Sequence, residues 1–115
     1  MKHKLHLNNK PFINIKNGTK KIELRLNDEK RQLLKEKDLI AFTNRETHET
    51  IVAEIEGLYK YPDFEELYKH FDKISMGYEK DEIANPKDME QYYSKEEQKK
   101  YGVVAIKVQV ISNQK

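Results

Sequence analysis

The sequence contains no cysteine, which excludes disulfides, thiolate nucleophiles and cysteine-bound metals. Long apolar runs are missing too. No stretch approaches the ~20 residues a membrane span needs, and Met1-Lys-His-Lys-Leu-His is too polar for the core of a signal peptide. These two absences predict a cytoplasmic protein with no membrane partner. Glycine (4) and proline (3) are scarce, and no linker, repeat or low-complexity tract divides the chain. At 115 residues it reads as one domain, 1–115, large enough for a core without covalent staples. It has no Gly-rich phosphate loop of the Walker or dinucleotide type, no His-Glu-x-x-His and no nucleophile elbow. Its histidines lack ligand spacing: His3 and His6 fall on opposite faces of a short strand, His48 in a loop and His70 on a helix. Neither a metal site nor a cofactor is expected.

Charge, by contrast, is abundant, at 37% of residues. The net charge of +2 conceals an asymmetry. Residues 1–37 hold eleven Lys/Arg and four acids, whereas residues 38–115 hold eleven bases and sixteen acids. A basic third on an acidic remainder suits a positive face for a polyanion. It equally suits two ends of a chain that attract each other in the fold.

The pattern along the chain mixes strands and helices. His3–Leu7 is a short strand, and Asn8 or Asn9 caps a helix with Pro11 in its first turn, stopped at Asn17-Gly18. A strand with strict alternation follows: Ile22, Leu24 and Leu26 are apolar, and Lys21, Glu23, Arg25 and Asn27 are polar. Period two predicts that the apolar set enters the core and the polar set is displayed. Residues 28–35 form one or two helical turns. Strands 39–43 and 50–61 are joined by a polar hairpin loop, with Gly57 marking a bulge or bend. Asp63-x-x-Glu66 and Ser94-x-x-Glu97 are capping boxes that open helices running to about Phe71 and Lys100. Pro86 opens another, and residues 103–111 form a closing strand in which Val104, Ile106, Val108 and Val110 face a core.

Gly18-x-Lys20-x-x-Glu23-x-Arg25 resembles the signature of the ASCH (activating-signal-cointegrator homology) domain family. Pro11-Phe12-x-x-Ile15-Lys16 upstream and Tyr101-Gly102-Val103-Val104-Ala105-Ile106 near the end are similar to the family's flanking elements. Lys37-Asp38 stands where the family usually has Gly-Asp, so that turn closes without glycine. The resemblance implies an α+β fold: a PUA-like, partly open β-barrel with short helices inserted between strands and a cleft beside the motif strand. It also implies an RNA or nucleotide-like ligand.

On that basis Lys20, Glu23 and Arg25 are the candidate floor of the cleft. Arginine offers a planar fork to phosphate or base edges, lysine a point charge, and Glu23 an acceptor for an exocyclic amine. Lys21, Asn27, Lys30 and Arg31 are the candidate basic rim, and Tyr59, Tyr61 and Tyr101 the candidate stacking platforms. The other tyrosines on helices, Tyr68, Tyr92 and Tyr93, read as packing. The structural alternative for Lys20, Glu23 and Arg25 is a salt bridge on the barrel exterior.

Two other functions compete with ligand binding. Some ASCH-type proteins are small amidohydrolases of acylated cytidine, with a lysine, a threonine nucleophile three residues later and a distant glutamate. Lys20 matches that pattern, but Glu23 occupies the threonine's place and could serve only as a general base. A protein-interaction module using the acidic helices of residues 63–100 is the third possibility.

Overall fold

The computed structural model describes residues 1–114, with side chains through residue 111. Its five strands are β1 (Lys2–Leu7), β2 (Ile22–Leu26), β3 (Leu39–Asn44), β4 (Thr50–Tyr61) and β5 (Val103–Gln114). They form one sheet in the order β1-β3-β4-β5-β2. β1 lies parallel to β3, and the other pairs are antiparallel. The two edge strands, β1 and β2, share no ladder among the described residues, so the curled sheet is a half-barrel open along that seam. Helix α1 (Asn9–Lys16) connects the two edges.

The curl originates in β4. Its register against β5 shifts between Val52 and Ala53 and again between Ile55 and Gly57, and each bulge adds local twist. At Gly57 the Tyr59 ring folds back over the backbone: an added Cβ would lie 2.6 Å from the Tyr59 hydroxyl, so a side chain there would push the ring aside. The turn before β3 closes as expected without glycine. Lys37 itself adopts φ 73°, and its N–H donates to Ile55 O at 2.8 Å. A lysine there carries a steric cost that glycine avoids. Lys37→Gly is therefore expected to raise unfolding free energy by about 0.5–1 kcal/mol. An unchanged or lower denaturation midpoint would contradict this.

The caps expected at Asp63 and Ser94 form, whereas Asn8 makes no side-chain cap on α1. Asp63 accepts from Glu66 N, and Ser94 and Glu97 form a reciprocal capping box. The helices they open are short. α2 spans only Phe64–Leu67, and three-residue hydrogen bonds then take over (Lys69 N to Glu66 O, His70 N to Leu67 O). Residues Pro86–Gln91 are 3₁₀ and not α-helical, as are Arg31–Leu33, while α3 spans Lys95–Tyr101.

The alternation in β2 holds and its apolar set is buried in a core as expected, but the polar set is not displayed to solvent: Glu23 is 6% exposed. Two hydrophobic layers exist. The barrel interior holds Leu5, Leu7, Phe12, Ile15, Ile40, Phe42, Ile51, Ile55, Val104, Ile106 and Val108. Ile22, Leu24 and Leu26 are absent from it. They pack instead with Phe64, Leu67, Met76, Val103 and Ala105 beneath the segment between β4 and β5, on the outside of the barrel. Glu23 pairs across the ladder with Ile106, and Arg25 with Val104. Directly paired residues share a face, so Glu23 and Arg25 point to the interior side. Alternation reveals that a strand has two faces. It does not reveal which of two apolar layers takes the greasy one.

Candidate functional site

A cavity of about 410 Å³ opens at the seam. β1 and the first turn of α1 form one wall, β2 the floor, and the segment between β4 and β5 the other wall. There β2 offers the interior two charged side chains, Glu23 and Arg25.

Lys20, Glu23 and Arg25 meet in the floor. Lys20 and Glu23 are each 6% exposed. The Lys20 Nζ donates to Ile22 O at 2.7 Å and Met76 O at 2.8 Å, with Glu23 Oε1 at 3.5 Å. These three acceptors match the three N–H donors of an ammonium. The Arg25 Nε donates to Glu23 Oε2 at 2.7 Å, and its Nη2 reaches across the open seam to His6 O at 3.1 Å. Arg25 is thus the link between the two unpaired edge strands. Gly77, at φ +109°, lets the chain pass over Lys20: an added Cβ would sit 3.2 Å from Lys20 Cδ.

The electrostatics follow from this packing. Burial acts to raise the Glu23 pKa, but the charges of Lys20 and Arg25 outweigh it and hold the carboxyl below its ordinary value. Burial lowers the Lys20 pKa, with partial compensation from Glu23. Burial likewise acts to lower the Arg25 pKa, but Glu23, helped by Tyr93, raises it overall. A carboxylate with a depressed pKa and two cationic partners is a poor proton acceptor. It remains a good hydrogen-bond acceptor, because each oxygen keeps a free lone pair.

Tyrosines form the opposite wall. The Tyr78 hydroxyl donates to Asp88 Oδ2 at 2.7 Å and lies 2.9 Å from the Tyr68 hydroxyl. With Tyr78 donating to Asp88, Tyr68 donates to Tyr78. Tyr92 is 59% exposed at the mouth, beside Tyr93. On the α1 side, Lys10 lies 3.5 Å from a Glu79 carboxylate oxygen and 3.9 Å from one of Glu82. Arg45 Nη1 donates to the Asn8 side-chain oxygen at 3.0 Å. Asn8 occupies the N-cap position without capping α1.

Of the residues singled out by the sequence, Lys20, Glu23 and Arg25 converge on the cavity. The exterior salt-bridge alternative fails, because the set is buried and faces inward. Lys21, Asn27, Lys30, Arg31, Tyr59 and Tyr101 do not line the cavity. Lys21 and Lys30 are exposed, Arg31 lies 3.9 Å from Asp28, and Asn27 is anchored to Gly102 O through its backbone N–H. Tyr59 packs on Phe71, Tyr61 stacks on His70 at 4.9 Å, and Tyr101 borders the outer apolar layer. Lys10, Arg45, Tyr68, Tyr78, Tyr92 and Tyr93 line the cavity unannounced. The one local signal was the density of tyrosines in residues 68–93. Among the described residues no three His, Asp or Glu side chains cluster as metal ligands, and no helix is long and apolar enough to cross a membrane.

A five-stranded half-barrel with short inserted helices and a charged cleft at its seam is the PUA-like class of fold. The ASCH domain family model matches residues 5–112, and the chain belongs to that family. Its structure is similar to that of hypothetical protein PH0355, at 31% identity and TM-score 0.82, covering 96% of this chain and 100% of the other. Protein PF0455 from Pyrococcus furiosus is 28% identical with TM-score 0.69, covering 96% and 98%. The ASCH protein from Zymomonas mobilis, 16% identical with TM-score 0.61 over 96% and 71% of the two chains, shares the fold. No curated protein matches the chain.

Proposed function

We propose that the seam cavity binds one unstacked nucleotide, free or within an RNA strand. The observation behind this reading is the buried Glu23–Arg25 pair, aimed into a 410 Å³ space whose opposite wall is tyrosine. Ligand pockets for small molecules fall in roughly the 300–1,000 Å³ range, so a single base with its sugar fits. The floor reads polar edges: the Arg25 guanidinium has N–H donors beyond those engaged by Glu23, His6 O and Tyr93, and Glu23 retains acceptors. Tyr92, exposed at the mouth, supplies a face on which a base stacks. Lys20 contributes position and not contact, since its three donors are already engaged.

The depressed pKa of Glu23 argues against a general-base hydrolase, and no observation favours that reading. A protein-interaction role for residues 63–100, which hold eleven acids and seven bases, receives less support. That segment already covers the outer apolar layer and walls the cavity.

Titration with the four nucleoside monophosphates and short single-stranded RNA, followed by tyrosine fluorescence at low salt, tests the proposal. Micromolar affinity is expected, falling as salt rises. Tyr92→Ala should weaken binding by about 5- to 150-fold with the denaturation midpoint unchanged. Absence of binding at low salt, or indifference to Tyr92→Ala, would count against it.

A further inference from the structure

Three cations gather at the corner where β1 runs into α1. Arg25 reaches His6 O, Arg45 holds the Asn8 side chain with its own N–H on Leu7 O at 2.9 Å, and Lys10 projects from the first turn of α1. Arg25 is neutralised by Glu23. Among the described residues Lys10 pairs with Glu79 and Glu82 alone, across the mouth, in pairs that are 45–60% exposed on both sides. Arg45 makes no ion pair among the described residues and is held by a neutral amide oxygen. All three cations line the cavity, and so does Glu82.

We infer that Lys10 and Arg45 form a phosphate subsite, and that Glu79 and Glu82 together hold Lys10 as weak internal competitors until a ligand phosphate displaces them. This deepens the proposed nucleotide site and rests on it. The division of labour follows from exposure. The floor is buried and reads a base; the corner is solvated and meets a doubly or singly charged phosphate without having to strip water from a buried ion. Exposed ion pairs contribute little, so Glu79 and Glu82 yield Lys10 at small cost. A phosphate oxygen accepts from ammonium and guanidinium together, and such charge-assisted bonds are among the stronger polar contacts. Glu82 also accepts from Glu79 N at 2.6 Å, so its carboxylate keeps a partner after release. The rim expected from the sequence, Lys21, Lys30 and Arg31, is not needed for this role.

Two measurements test the subsite separately from the base pocket. Inorganic phosphate, titrated at low ionic strength, should shift the NMR signals of Lys10, Arg45 and the neighbouring Asn8 and Asn14, and in the Lys10→Met/Arg45→Met double variant Asn8 and Asn14 should no longer respond. Next, each nucleoside is compared with its 5′-monophosphate and with a dinucleoside phosphate. The monophosphate should bind about ten- to hundredfold more tightly than its nucleoside. Lys10→Met and Arg45→Met should each erase most of that ratio, lowering monophosphate affinity far more than nucleoside affinity. The Glu79→Gln/Glu82→Gln double variant should enlarge it a few-fold, because both competitors have lost their charge. A gain kept by the dinucleoside phosphate identifies an RNA strand as the source of the phosphate; a gain confined to the monophosphate identifies a free nucleotide.

If inorganic phosphate perturbs neither Lys10 nor Arg45, or the ratio is unchanged in both cation variants, the subsite is disproved. If phosphate binds as described but no nucleoside or nucleotide does, the subsite stands and the base-reading cavity falls.

Discussion

Glu23→Gln should lower unfolding free energy by about 3–5 kcal/mol, the usual consequence of removing one partner from a buried ionic group. The substitution is nearly isosteric, so the loss is electrostatic. Lys20 and Arg25 are left in the barrel seam with no anion between them. From sequence alone the same change reads as neutral for folding, because Glu23 then belongs to a displayed polar face. The pH dependence provides a second readout. The folded-state pKa of Glu23 lies below its ordinary value of 4.5. The stability it contributes is therefore complete above the unfolded value and is lost as pH falls through the lower, folded one. Chemical denaturation of parent and variant at pH 7 and at pH 3 should show the gap shrinking in acid. A gap that is absent at pH 7, or that widens in acid, would contradict the buried-triad description.

Replacing all three charges together should behave differently. Buried ion pairs are often matched in stability by apolar residues of similar volume. The Lys20→Met/Glu23→Leu/Arg25→Met variant is thus expected to recover most of what Glu23→Gln loses, ending within about 2 kcal/mol of the parent. Ile22 O and Met76 O lose their donor, which limits the recovery. Nucleotide affinity should still fall by at least about a hundredfold, since the floor then has neither donor nor acceptor for a base edge. Denaturation curves and titrations on the same preparation separate the two effects. A triple variant as unstable as the single one would identify the triad as a structural clamp, and the ligand reading would lose its main support.

Much of the fold is legible in local chemistry. Gly57 marks a real bulge, Asp63 and Ser94 cap helices, and Lys37 closes a turn in a conformation that glycine would take more readily. These features are set by neighbours in sequence. The site is only half legible, for the opposite reason. Lys20, Glu23 and Arg25 lie on one strand and could be read together. Lys10, Arg45 and the tyrosines reach the cavity from three separate segments, and only the sheet order brings them there. Helical spacing made Tyr68, Tyr92 and Tyr93 look like packing residues, and two of them do pack: Phe64 stacks with Tyr93 at 5.9 Å, and Tyr68 meets Tyr78 edge-on. Packing on one side and lining a cavity on the other are compatible for a ring with a polar tip.

The strand order has a temporal meaning as well. β2 carries the motif near the beginning of the chain, yet its ladder partner is β5 near the end, with Leu24 opposite Ala105. Pairing across ~80 residues is among the slower events in folding. Until β5 is in place, the motif strand has neither a ladder nor either apolar layer complete, because Val103 and Ala105 serve one layer and Val104 and Ile106 the other. Every residue that lines the cleft, from His6 to Tyr93, precedes Val103 in the chain. The binding proposed for the cleft therefore depends on a strand that contributes none of its lining residues: β5 must dock before β2 can hold Glu23 and Arg25 at the seam.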